Sequence, residues 1–373
     1  MISNVIKKLC TLSLIVFTAH AEALVVLQQL TAPVSVEYDS NPLLLTSNKQ
    51  SVWRYTTVPS YTIAAVENNN RWYGNVGIRI QRSSNKNISI DREDPIITLG
   101  WDRQGERDEL KLLANYSQNS TRNTQLTTTG LINTDVTETR KLVSADWSRL
   151  LTQKLNLAVG GEIVVTSFDS AAFVGFTTKT IDSTLSYQVT EKLTTFSNIS
   201  YVRFTNDVQN NIGLQASQSV QNSQNYLAGF TYLVNPQLDF TVALGINHTS
   251  SVGSANIGEA SINYQAERHL IKGELARNVA AAGLGQFQQS DILNLAYTYD
   301  FGDKSALGSS FSLQKNKSLN PNDIIVVGGF YSREISNSWS MRANLDYRRL
   351  KDTTQSVSGE VAGLTFIYTT PEF

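Results

Sequence analysis

The chain has 373 residues, 41% of them hydrophobic, and its 31 Lys and Arg against 32 Asp and Glu give a formal net charge of −1. That balance, with no Lys/Arg-rich run, excludes a nucleic-acid binder, which carries a basic stripe to meet phosphate. A single cysteine, Cys10, and three scattered histidines, His20, His248 and His269, leave no material for disulfides, a zinc site or a His-dependent triad, so no metal or cofactor is expected.

Residues 1–21 read as a secretory signal: Lys7 and Lys8, the apolar run Leu9 to Phe17, then Ala19-His20-Ala21 as a small-x-small cleavage site. Cleavage is expected after Ala21 or Ala23, leaving residues 24–373 as one domain without a thiol. The apolar run is too short to span a bilayer, and nothing after it offers the roughly 18 consecutive apolar residues of a membrane helix. Two destinations remain: a soluble secreted β-sandwich, or the bacterial outer membrane as a closed barrel, the non-helical form in which every backbone polar group is satisfied.

Period two runs through the rest of the chain. Residues 32–44 supply a first strand, with Val34, Val36 and Tyr38 opposed to Ser35, Glu37 and Asp39. Further strands are predicted near 52–66, 72–83, 95–104, 108–119, 140–152, 154–168 and 177–190, and near 193–206, which shows no clean apolar face. Residues 226–248 make a hairpin turning at Asn235-Pro236. Strands near 256–268, 270–282, 289–302, 305–317, 322–335, 339–351 and 356–369 follow. The alternation is strict in 292–301, where Leu293, Leu295, Tyr297, Tyr299 and Phe301 oppose Asn294, Ala296, Thr298 and Asp300.

The connections fall into two alternating classes. One is short, as at Gln153-Lys154, Glu191-Lys192 and Ser336-Asn337; the other is generally longer, as from Ser120 to Glu138 and Asp207 to Asn222, with Leu319-Asn320 an exception. Outer-membrane barrels have short periplasmic turns and longer external loops. The fold class expected is therefore all-β, a transmembrane antiparallel up-and-down β-barrel of about 18 strands, or 16 if weak segments merge.

With the apolar faces toward lipid, the opposite faces line a lumen and carry Asn75, Arg79, Asp102, Asp146, Glu162, Asp239, Glu274, Asp300, Arg342, Asp346 and Arg348. Such charges bias ion passage through a water-filled interior. Arg342, Asp346 and Arg348 form a polar ladder about 20 Å long at the rise of a strand, suited equally to mutual pairing or to solute contact. Trp72, Trp101, Tyr187, Tyr232, Tyr297, Phe301, Trp339 and Tyr347 suit an interfacial girdle. No G-x-S-x-G elbow, phosphate-cradling loop or H-E-x-x-H occurs, so the chain is not read as an enzyme. The functional expectation is a porin-like channel for polar solutes, whose long loop from Ser120 to Glu138 could fold inward and narrow it.

Two passages carry a resemblance. The segment Val34-Ser35-Val36-Glu37-Tyr38-Asp39-Ser40-Asn41-Pro42-Leu43 resembles the opening strand of β-barrel porins found with exopolysaccharide biosynthesis and export genes, where Tyr-Asp-Ser-Asn is common. Gly363-Leu364-Thr365-Phe366-Ile367-Tyr368 is similar to the C-terminal assembly signal of outer-membrane barrels, with Gly363, Phe366 and Tyr368 as its marks; Phe373 is out of register with it, and Pro371 interrupts the strand between. The resemblance implies outer-membrane lipid and the barrel-assembly machinery as partners. It also implies a place in polysaccharide secretion, as a channel or as an accessory barrel beside exopolysaccharide export components.

Overall fold

A computed structural model describes residues 24–124, 135–170, 172–206, 219–250, 253–282, 286–317 and 321–371. The signal segment and Phe373 lie outside the described residues. In chain order the elements are β1 (Val25–Asp39), β2 (Val52–Thr57), β3 (Ser60–Glu67), β4 (Asn70–Ser83), β5 (Arg92–Gln104), β6 (Asp108–Ser120), a single helical turn α1 (Thr121–Thr124), β7 (Thr137–Leu150), β8 (Leu155–Phe168) and β9 (Phe176–Gln188). They continue as β10 (Leu193–Asn206), β11 (Val220–Asn235), β12 (Leu238–Thr249), β13 (Gly253–Gln265), β14 (His269–Ala282), β15 (Gln286–Asp300), β16 (Ser305–Lys317), β17 (Asn322–Glu334), β18 (Trp339–Asp352) and β19 (Ser356–Thr369).

Apart from β2 and β3, which do not pair with each other, each strand pairs antiparallel with its sequence neighbours, and β1 closes the ring on β19 from Thr31↔Thr369 to Asp39↔Val361. Closure removes the free edge, which is what lets a sheet sit in hydrocarbon without orphaned N–H and C=O groups. The stretch expected as one strand over 52–66 is broken at Val58-Pro59. Pro59 has no N–H to give to the ladder, so the wall bulges there. Val58 N donates instead to Pro33 O (3.1 Å), and Pro59 O accepts from Ile78 N (3.1 Å). Because β2 and β3 both pair with β1 on one side and β4 on the other, they are two halves of one wall strand, and the barrel has eighteen. The closed ring excludes the sandwich.

The first strand also differs from the expected 32–44: it spans Val25–Asp39, and residues 40–44 leave the wall. Its first half, Val25-Val26-Leu27-Gln28-Gln29-Leu30, shows no alternation to read, yet it pairs with β3 from Val25↔Val66 to Thr31↔Ser60. The hairpin between β11 and β12 turns at Pro236-Gln237, one residue later than expected, after a register shift between Leu233 and Asn235.

One end of the barrel carries the short turns at 68–69, 105–107, 151–154, 189–192, 236–237, 266–268, 301–304 and 335–338. Gly302, with φ of 77°, takes the left-handed conformation the 301–304 turn requires, and its N donates to Asp300 Oδ1 (2.8 Å). At the other end lie the connecting residues 40–51, 84–91, 121–124 with 135–136, and 169–170 with 172–175, together with the brief 353–355.

Alternation along the strands sorts the side chains. Leu244, Leu345 and Val143 are 71%, 65% and 60% exposed on the outer face, far more than apolar side chains facing water in a soluble sheet tolerate in such numbers. The aromatic residues of the expected girdle share that outward face: Trp72, Tyr187, Tyr297, Phe301 and Trp339 ring the short-turn end. Trp339 packs on Tyr368, the rings tilted and 5.1 Å apart. Trp53, Tyr55, Tyr201 and Tyr226 form a second belt nearer the other end.

Candidate functional site: the barrel interior

The inward face of the short-turn half is polar on nearly every strand. Asp102 lies opposite Lys111, Lys111 opposite Asp146, Asp146 opposite Gly160, and Gly160 opposite Asp182, so one row crosses five strands. Gly160 matters there because a Cβ would come within 2.8 Å of the Asp146 and Asp182 carboxylates; its absence leaves the two acids facing each other across open space. Glu162 lies opposite Ser144 and Thr180. Asp239 accepts from Asn263 Nδ2 (3.0 Å), and Glu274 accepts from Asn294 Nδ2 (3.1 Å), whose Oδ1 accepts from Ser312 Oγ (2.7 Å). Asn75 donates to Thr62 Oγ1 (2.7 Å), and Arg79, opposite Asp94 toward the long-connection end, donates to Asn119.

The three residues of the ladder on β18 do not pair with one another. Arg342 lies over the Phe330 ring, 3.8 Å from its centroid, Asp346 accepts from Asn344 Nδ2 (2.8 Å), and Arg348 donates to Asp39 Oδ2 (2.7 Å). Asp300 caps the 301–304 turn through Gly302, so it belongs to the rim of the interior. Gly363 is on the inward face between Asn344 and Glu37, whereas Phe366 and Tyr368 are outward. His248 contacts Ser254 Oγ (3.0 Å) and His269 contacts Tyr297 O–H (3.0 Å), at opposite ends of the barrel.

The long-connection half is built differently: its inward side chains are buried. The Tyr-Asp-Ser-Asn segment explains part of this. Tyr38 faces out and packs on Trp53 (5.0 Å between ring centroids). Asp39 faces in, is fully buried, and accepts from Arg54 Nη2 (3.0 Å) as well as Arg348; Arg54 also pairs with Glu37. Asn41 then clasps the chain that leaves the wall, donating to Leu45 O and Ser358 O (3.0 Å each) and accepting from Leu45 N (3.0 Å). The clasp holds Leu44 at φ of 46°, a conformation unfavourable for a bulky side chain, and seats it against Ile324 and Val357.

Further connections turn inward beside it. Arg92 pairs with Asp94 (2.8 Å) and with Asp135 (3.2 Å), tying the wall to the end of the 121–136 connection. On α1, Arg122 is 97% buried, and its guanidinium meets Ser89 Oγ at 3.5 Å without a salt bridge among the described residues. Burial pushes its pKa down to about 10, and the nearby Arg54 charge adds to that, against the pull of Asp135, Asp39 and Glu37. It therefore stays charged at neutral pH.

Across the mouth, buried Phe204 on β10 packs on Phe176 (5.3 Å) and on Phe287 at the start of β15 (5.5 Å), while Phe168 packs on Phe173 (5.1 Å). Strands β10 and β15 are five places apart in the ring. At about 4.8 Å per strand that is roughly 24 Å along the wall, so the two rings meet only because the outer ends lean over the opening. This cluster also explains why residues 193–206 lack a clean apolar face: Phe196, Val202 and Phe204 point inward and Ile199 and Tyr201 outward.

The fold resembles that of solved bacterial barrels. The siderophore receptor PirA from Pseudomonas aeruginosa superposes with a TM-score of 0.54 at 8% identity, covering 95% of this chain and 81% of that one. OccAB4 from Acinetobacter baumannii gives 0.52 at 12% identity, covering 93% and 98%. OpdQ from P. aeruginosa gives 0.51 at 9% identity over the same shares. No family model matches the sequence, and no curated protein does.

Chemically, the interior has acids and bases interspersed along its short-turn half and, toward the other end, a layer of buried ion pairs and aromatic rings. Asp182, Glu37, Asp39, Arg54, Arg92 and Arg122 belong to it although sequence reasoning did not single them out as site residues. Alternation places Asp182 opposite the outward Ile181 and could have found it; for Arg122, at the end of a strand, no periodic signal exists.

Proposed function

We propose that the chain is an outer-membrane channel for polar solutes whose external end is closed by its own connections. The observation that carries the reading is the sorting of the wall: bulky apolar residues on the outward face of every part of the ring, and hydrogen-bonded acids, bases and amides on the inward face. An eighteen-strand ring encloses water unless something fills it, and here the external half is filled. The barrels it resembles include outer-membrane porins and siderophore receptors, which supports residence in the bacterial outer membrane with the short turns on the periplasmic side. Residues 1–21 then serve as the export signal, and Gly363, Phe366 and Tyr368 as the mark read by the barrel-assembly machinery.

Asp102, Asp146, Asp182, Glu162, Asp239 and Glu274 outnumber the bases in the periplasmic half, so the vestibule favours cations or polar neutral solutes. A second reading, an accessory barrel beside exopolysaccharide export components, is favoured by the capped external end together with the Tyr-Asp-Ser-Asn clasp that helps build it. Planar-bilayer recording on the full chain separates the two. Discrete cation-preferring steps that lengthen when the cap is weakened support the channel; silence of both the wild type and cap variants in a correctly inserted preparation refutes it.

A further inference from the structure

On the outward face near the long-connection end, the register lines up one residue from each of five consecutive strands: Arg277 on β14, Asp291 on β15, Lys315 on β16, Asp323 on β17 and Lys351 on β18. Signs alternate along this row. Two more cations flank it, Lys317 above and Arg349 below, so the arc carries five positive charges against two negative. Asp291 is shared by Arg277 (3.1 Å) and Lys317 (2.9 Å). Lys315, Arg349 and Lys351 are exposed and make no salt bridge among the described residues.

One step further toward the middle of the wall, the same strands present Leu275, Leu293, Leu313 and Ile325 in a row. The change from leucine to cation within two residues, about 7 Å along a strand, marks where hydrocarbon gives way to headgroups. Two depressions straddle that boundary. One, of about 310 Å³, has Leu313 and Ile325 with Lys315, Asp323, Arg349 and Lys351 around it. The other, of about 560 Å³, runs between Leu244 and Leu275 and reaches Arg277, Asp291 and Lys315. It exists because Gly258 and Ala260 on β13 put almost no side chain between the leucines of β12 and β14.

Ammonium and guanidinium groups without a carboxylate partner among the described residues, of which Arg349 donates through Nε to Ser356 Oγ (2.9 Å), lie over acyl-sized furrows and match one kind of occupant. We propose that this arc binds a phosphate-bearing lipid of the outer leaflet, its acyl chains in the furrows and its phosphates on Lys315, Arg349 and Lys351. Arginine and lysine both take phosphate oxygens through charge-assisted bonds, and cations at a membrane surface add up with the number of anionic groups they meet. On the neighbouring strands the same row runs on through Gly258, Leu244 and Ala228, without Lys, Arg, Asp or Glu, so the charge does not continue onto β11–β13.

The inference rests on the orientation proposed above, which puts the long-connection end at the outer leaflet. The test uses the full protein in detergent and measures, by native mass spectrometry, retention of diphosphorylated lipid A against the same lipid with its phosphates removed. The wild type is expected to prefer the phosphorylated lipid at least roughly tenfold, and Lys315→Gln/Arg349→Gln/Lys351→Gln to lose about a hundredfold in affinity, at roughly fivefold per cation. Lys141→Gln/Lys179→Gln, which removes outward cations elsewhere on the wall, is expected to keep the preference. If the triple variant fails to fold, Lys315→Gln and Lys351→Gln singly are each expected to cost about fivefold. Equal retention of the two lipids, an unchanged preference in the triple or single variants, or equal loss in the Lys141/Lys179 control would overturn the site. Heat-modifiable gel migration of the same samples reads the barrel separately, so failure there sinks the barrel reading of the proposed function and not this arc alone.

Discussion

Replacing Asp39 by asparagine probes the cap at its most connected point. The carboxylate is fully buried and accepts from Arg54 (3.0 Å), Arg348 (2.7 Å) and Asn41 N (3.2 Å). Asparagine keeps the shape and can keep the Asn41 contact, but it removes the charge that two guanidinium groups share. Arg54 retains Glu37, whereas Arg348, 13% exposed, loses its carboxylate partner. Leaving one member of a buried pair uncompensated costs about 3–5 kcal/mol; with Arg54 still paired and Arg348 slightly wet, the lower end applies. About 3 kcal/mol is roughly a hundredfold shift in the closed-to-open ratio of the cap. The expected result is a lower temperature of the heat-modifiable gel transition and longer open times in bilayer recordings. Arg348→Met in the Asp39→Asn background should cost less than the sum of the two single changes, because the orphaned charge is gone, with a coupling of roughly 1–3 kcal/mol. An Asp39→Asn protein that melts and conducts like wild type, or strictly additive costs, would refute the view that these pairs close the barrel.

Phe204→Ala removes the ring on which the mouth cluster turns, and should cost about 3–5 kcal/mol in urea unfolding from lipid while raising single-channel current. Leu345→Arg puts a charge on the lipid face and should cost about 2–4 kcal/mol near the bilayer midplane, whereas Asp346→Asn, one residue away but inward, should leave the unfolding midpoint nearly unchanged and shift reversal potentials toward anions. Arg122 has its pKa lowered to about 10 from 12.5, so above about pH 10 the folded state holds fewer protons than the unfolded one. Its destabilising contribution is therefore complete below that pH and fades above it; open times should shorten as pH rises past about 10, and Arg122→Met should abolish that trend.

The sequence by itself determined the wall. A side chain's face follows from parity alone once the backbone is extended, which is why the charged residues assigned to the interior alternate with the outward-facing leucines, and why turn length separated the two ends. Where alternation is absent, as in Val25–Leu30, the sequence shows no strand although β1 starts there; where Pro59 removes a donor, one strand becomes two halves. What only the tertiary structure decided is the cap. Asp39 meets Arg348 across more than three hundred residues of sequence, Phe204 meets Phe287 across the opening, and Arg122 is buried by whichever connections turn inward. None of these follows from a period of two, because connections that leave the sheet have no repeating geometry to constrain them; their positions are set by which buried charges find partners once the ring has closed.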